Sequence, residues 1–101
     1  MSAARKLFVA NRGEIAVRVF STCRRLGIET VAAVGPGDEE ALHVRVADAA
    51  VEVSSYLDAA ALVTAAKSAG ATLVHPGYGF LAESADFAEA VLDAGLTWVG
   101  P

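Results

Sequence analysis

Cysteine is nearly missing from this 101-residue chain, where Cys23 stands alone. A single thiol can close no internal disulfide, which fits a reducing compartment, and a cytoplasmic location is expected. Basic residues are scarce beyond the first quarter. Six of the eight (Arg5, Lys6, Arg12, Arg18, Arg24, Arg25) fall within the first 25 positions, and the net charge is −4. An acidic domain without a recognised nucleic-acid motif argues against DNA or RNA as a partner. No apolar run approaches the ~20 residues that span a bilayer, so no membrane segment is expected. The start, Met1-Ser2-Ala3-Ala4-Arg5-Lys6, lacks the apolar region of a signal peptide. What is plentiful is apolar residues, at 54% against 20% charged. That balance builds a core, and one domain over residues 1–101 is expected.

The apolar residues fall into alternating periods. Lys6-Leu7-Phe8-Val9-Ala10 reads as a strand buried on both faces, as a central parallel strand is. After the turn Asn11-Arg12-Gly13, a stripe at Ile15, Val19, Cys23 and Leu26, widened by Ala16 and Phe20, predicts an amphipathic helix closed by Gly27. Glu29–Val34 reads as a second strand, stopped by Gly35-Pro36-Gly37. Asp38-Glu39-Glu40 suits the first turn of a short helix, and Ala49–Val53 a third strand. Ser55 with Asp58, or Asp58 alone, can cap a helix whose stripe is Ala59, Leu62, Val63 and Ala66. Ala71-Thr72-Leu73-Val74 reads as a fourth strand. Ser84 caps a helix with Phe87, Ala88, Val91 and Leu92 inward, and Leu96–Val99 reads as a fifth strand. Three junctions (Gly27 to Val31, Gly70 to Val74, Gly95 to Val99) repeat one helix-stop, strand-start pattern. The fold class is α/β, an open doubly wound, mainly parallel five-stranded sheet with expected order 3-2-1-4-5. The switch point then lies between strands one and four, which brings Asn11-Arg12-Gly13-Glu14 and the loop from His75 to Ser84 to one crevice.

That second loop spends about ten residues where two to six suffice. Two glycines and a proline in five residues let backbone approach something closely. Tyr78, set between glycines, is read as exposed or ligand-facing. Arg12 and Glu14 have two readings, a solvated turn residue with a helix-terminus acid, or an anion contact with an orienting carboxylate. Glu83 is either the acid ahead of a helix or a crevice group. The chemistry that is lacking is as informative. The first turn carries one glycine rather than G-x-G-x-x-G, and no Walker pattern exists, which argues against those nucleotide sites. His43 and His75 are far apart with no cysteine pair, so no metal site is expected. His43 reads as a partly buried, hydrogen-bonded residue, His75 as bonding loop backbone, and Cys23 as a core thiol.

Several segments resemble a known family. Ala10-Asn11-Arg12-Gly13-Glu14-Ile15-Ala16 with Arg18, Cys23-Arg24-Arg25-Leu26-Gly27, Ala41–Asp48 and Ser55-Tyr56-Leu57-Asp58 are similar to the opening of biotin carboxylase. His75-Pro76-Gly77-Tyr78-Gly79-Phe80-Leu81 with Glu83, closing at Val99-Gly100-Pro101, resembles that family's most specific signature. The resemblance implies a Rossmann-like preface to an ATP-grasp fold, with the ATP-grasp and C-terminal domains outside these 101 residues. It implies a parent ligase that uses MgATP and bicarbonate to carboxylate biotin, within an acyl-CoA or pyruvate carboxylase. Biotin, ATP and Mg would be cofactors of the parent. The ATP-grasp domain, a biotin carboxyl carrier domain and a carboxyltransferase would be its partners. His75, Tyr78, Gly79, Phe80 and Glu83 would border the biotin and bicarbonate crevice, with Asn11, Arg12, Gly13 and Glu14 as its first loop. Arg18 would lie at an interface used for dimer contact. No catalytic residue is expected within the chain, which alone should be inactive. Ala82, Ser84, Ser21, Arg25 and the Gly35–Asp38 turn depart from the family's usual residues. The alternative is a stand-alone small-ligand-binding or scaffold module of the same fold.

Overall fold

The computed structural model describes residues 5–100, so the start Met1–Ala4 and the closing Pro101 of the signature lie outside the described residues. Five parallel strands form one sheet in the order β3-β2-β1-β4-β5, the order expected. They are β1 Lys6–Val9, β2 Glu29–Val34, β3 Ala49–Glu52, β4 Leu73–His75 and β5 Thr97–Trp98. Between them run α1 Gly13–Leu26, α2 Leu42–Val46, α3 Ala59–Ser68 and α4 Ala85–Asp93. Lys6 pairs with Glu29 and Val9 with Ala32, while Val9 also pairs with His75, so β1 is central.

Successive β1 side chains serve opposite faces, as a pleat requires. Leu7 and Val9 pack with Ala16, Phe20, Cys23 and Ile28 under α1 and α2. Phe8 and Ala10 pack with Leu62, Ala66, Phe87 and Val91 under α3 and α4. The helix ends follow their local chemistry. Asp58 accepts from the Ala61 N–H at 3.0 Å and Ser84 from the Phe87 N–H at 3.1 Å, side-chain caps each worth about 1 kcal/mol. Ser55 instead accepts from the Leu57 N–H in the preceding turn. Gly27 ends α1 in the left-handed conformation, with φ 72°.

Four readings need correction. Asp38-Glu39-Glu40 is not helical; Asp38 donates its N–H to the Gly35 carbonyl and accepts from the Ala41 N–H, and α2 begins only at Leu42. The buried line of α1 is Ala16, Phe20 and Cys23, whereas Ile15 and Val19 are half-buried and Leu26 is 61% exposed. On α4, Phe87 and Val91 face inward, but Leu92 is 59% exposed. The strands are also shorter at several ends, most of all β5, because edge strands lose pairing partners first.

Candidate functional site: the carboxyl edge of the sheet

Parallel strands carry every strand-to-helix loop to one edge. Asn11, two residues past the end of β1, is 3% exposed. Its Nδ2 donates to the Pro76 carbonyl at 2.9 Å and to the Tyr78 carbonyl at 2.8 Å, and its Oδ1 accepts from the Arg12 N–H at 2.8 Å. One amide side chain thereby satisfies both loops and joins them. Gly77 is required here. Its φ is 69°, and a Cβ on it would sit 2.6 Å from Asn11 Nδ2. The Ala10 N–H donates to the His75 carbonyl, and the Gly77 N–H donates to His75 Nδ1 at 2.9 Å. His75 therefore bonds loop backbone, as expected, and burial lowers its pKa. Above this frame Tyr78 is 66% exposed, with Gly79 and Glu83 also exposed.

Arg12 turns toward the β2 side. Its Nε and an Nη donate to both Asp38 carboxylate oxygens, at 2.7 and 2.9 Å. A bidentate pair of this kind fixes geometry as well as charge. Asp38 also accepts from the Tyr56 hydroxyl at 2.6 Å. The Arg12 bond and then the Tyr56 bond hold the Asp38 pKa down to about 2. Burial, and then the Asp38 bond, push the Tyr56 pKa up to about 12, so its proton stays on the oxygen. That oxygen accepts from the buried Gly35 N–H at 2.9 Å. Gly35 has to be glycine, since a Cβ there would lie 2.4 Å from the Tyr56 ring. His43, 1% exposed, shares the neighbourhood: its Nε2 meets the Ala33 carbonyl at 2.9 Å, which makes Nε2 the donor, and its buried Nδ1 has no partner among the described residues.

The sequence-predicted residues thus divide. Asn11, Gly77, His75 and the Tyr78 backbone come together at one crevice, while the Arg12 side chain leaves it for Asp38. Glu14 is exposed on the first turn of α1. Phe80 lies toward the β2 side, its ring centroid 5.5 Å from that of Tyr56. Arg18 is exposed on α1. With Ile15, Val19, Leu26 and Leu73 it lines an open, mostly apolar cavity of about 560 Å³ that reaches His75 and Tyr78. Asp38 and Tyr56 were not singled out from sequence. The available signal was topological: the loops after β2 and β3 open on the same edge as Arg12. The described residues contain no cluster of three or more His, Cys, Asp or Glu that could hold a metal. No described helix is long and apolar enough to cross a membrane.

Comparison with known proteins gives the family. The family described as biotin carboxylase, N-terminal domain, matches residues 3–101. The mitochondrial methylcrotonoyl-CoA carboxylase subunit alpha of Oryza sativa subsp. japonica is 56% identical over 105 residues, covering 98% of this chain and 14% of that protein. Biotin carboxylase 1 of Bacillus subtilis (strain 168) is 52% identical over 103 residues, covering 96% of this chain and 23% of that one. The biotin carboxylase domain of a single-chain bacterial carboxylase superimposes with a TM-score of 0.92 at 50% identity, covering 97% of this chain and 24% of that one. A complete multifunctional pyruvate carboxylase from Rhizobium etli gives a TM-score of 0.94 at 39% identity, covering 99% and 11%. The chain spans less than a quarter of the length of each of these relatives. With such identities sustained across nearly all of its own length, the chain belongs to the biotin carboxylase N-terminal domain family.

Proposed function

We propose that residues 1–101 form the N-terminal domain of a biotin carboxylase that uses MgATP and bicarbonate to carboxylate biotin on a carrier domain. In this reading the chain supplies one wall of the biotin crevice and does no chemistry by itself. The observation that carries it is the Asn11 bridge, which fixes the two crevice loops while leaving Tyr78 exposed between them. A rigid backbone under a free aromatic ring suits recognition of a flat heterocycle, with Gly79 allowing close approach and Glu83 at the rim. The open apolar cavity beside α1 supports packing against an ATP-grasp region of the parent, and Arg18 lies where that contact or a dimer contact would form. The residues described do not fit a magnesium ion, so no step is derived through metal or nucleotide; both would be held by other domains. The carrier domain and a carboxyltransferase complete the set of partners, in an acyl-CoA or pyruvate carboxylase of the cytoplasm.

The test is bicarbonate- and biotin-dependent ADP formation by this chain alone and mixed with the downstream part of its parent. Activity confined to the mixture supports the reading. Silence in both, with each part folded, points to a stand-alone binding module. In the complete enzyme, Tyr78→Ala should lower biotin-dependent turnover about tenfold, a loss of ~1.4 kcal/mol, while biotin-independent ATP cleavage stays within about twofold. Equal loss of both would make the ring a folding element.

A further inference from the structure

Phe80 is the one non-glycine with positive φ among the described residues, at 50°. A bulky residue there is strained unless its surroundings hold it. Within the loop one turn bond spans it, from the Ala82 N–H to the Gly79 carbonyl at 2.9 Å, while the flanking Gly77 and Gly79 offer left-handed backbone and no side chain to pack its ring. The Phe80 ring, 46% exposed, instead lies against Tyr56, with ring centroids 5.5 Å apart and planes tilted by 49°. Tyr56 is itself anchored. It is 7% exposed, packed in the core with Leu62 and Phe87, and its hydroxyl is tied to Asp38 and to the Gly35 N–H.

We propose that Tyr56 is a positioning residue for the crevice loop, holding Phe80 in its left-handed conformation and so setting the direction of Tyr78. The loop is then gripped on both sides of Tyr78. Asn11 holds the Pro76 carbonyl before it and the carbonyl of Tyr78 itself, and Tyr56 meets the Phe80 ring after it. The two grips belong to one assembly, because Asn11 is followed by Arg12, Arg12 holds Asp38, and Asp38 holds the Tyr56 hydroxyl. A loop gripped on one side only would keep its fold and lose the orientation of its ring. The inference rests on the proposed role of Tyr78 toward biotin, but half of its test does not.

Hydrogen exchange of the loop peptide spanning residues 77–84 is measured in the complete carboxylase, alongside KM and kcat for free biotin. Tyr56→Leu should speed exchange of that peptide about tenfold, leave the β1 and α4 peptides within about twofold, and raise KM for biotin about tenfold with kcat nearly kept. Tyr56→Phe keeps the ring and should keep loop protection, losing it only around Gly35–Asp38. Phe80→Ala removes the contact from its exposed side, should reproduce the Tyr56→Leu loop exchange, and serves alone if Tyr56→Leu fails to fold. The double variant should go no further than either single one. Unchanged loop exchange in Phe80→Ala overturns the proposal, as does a uniform rise across the sheet. Faster loop exchange with unchanged KM for biotin overturns the link to Tyr78. If the wild-type protein carboxylates no biotin, the proposed function fails while the exchange comparison still decides whether Tyr56 holds the loop.

Discussion

The two faces of the sheet are finished to different degrees. Under α3 and α4, Phe8, Leu62, Phe87, Val74 and Val91 are completely buried, and Trp98 adds an edge-on contact to Phe87 at 5.5 Å between ring centroids. Under α1, Ala16, Phe20 and Cys23 are buried, but Ile15, Val19 and Leu26 border a cavity of about 560 Å³ open to the outside. Both faces carry an apolar helical stripe. What differs is how much of each stripe the chain itself covers. An apolar period in a sequence reports that burial is wanted somewhere, and under α3 and α4 most of it is met within the domain, Leu92 excepted. The open face covers Ile15 and Val19 only in part and leaves Leu26 exposed.

That contrast can be broken by substitution. Phe87→Ala on the closed face should cost about 3–5 kcal/mol, because it removes a fully buried ring and leaves a cavity; urea unfolding of the chain measures it. A loss under ~1 kcal/mol would mean that face is as loose as the other. An intermediate effect is expected at the carboxyl edge, where both faces meet the loops. The folded Asp38 pKa of about 2 lies below its ordinary value of 3.8. Its stabilising contribution is complete above pH 4 and is lost as pH falls toward 2, on the order of 1–2 kcal/mol. Asp38→Asn should remove that segment of the pH–stability curve, and an unaltered curve would assign acid sensitivity elsewhere. The smallest effect belongs to the open face. Leu26→Ser, at a position 61% exposed, should change stability by less than about 0.5 kcal/mol. A cost near that of Phe87→Ala would show that something covers the cavity in solution, and sedimentation would identify a second copy as that cover.

Much of the carboxyl edge was legible in advance. The strand order follows from alternating strands and helices with right-handed crossovers, and it places Asn11 beside the loop after β4. Ser84 and Asp58 were readable as caps because a cap needs only its own next three residues. Tyr78 was readable as exposed because glycines on either side leave it nothing to pack against. His43 proved more buried than its pattern suggested, since its place under β2 depends on a short helix whose start was misplaced. Asp38 misled for a local reason. Three consecutive acids after a turn look like the start of a helix, but a long-range guanidinium outbid that preference.

Period, glycine placement and chain connectivity are enough to set the sheet order, the helix stops and the meeting of the two crevice loops. That Arg12, Asp38, Tyr56 and Phe80 form one support emerges only from the packed fold. These residues sit in four different loops, and no local preference in any of them refers to the others. They meet because parallel strands deliver all four loops to one edge, where side-chain length and direction, rather than spacing along the chain, settle which groups touch.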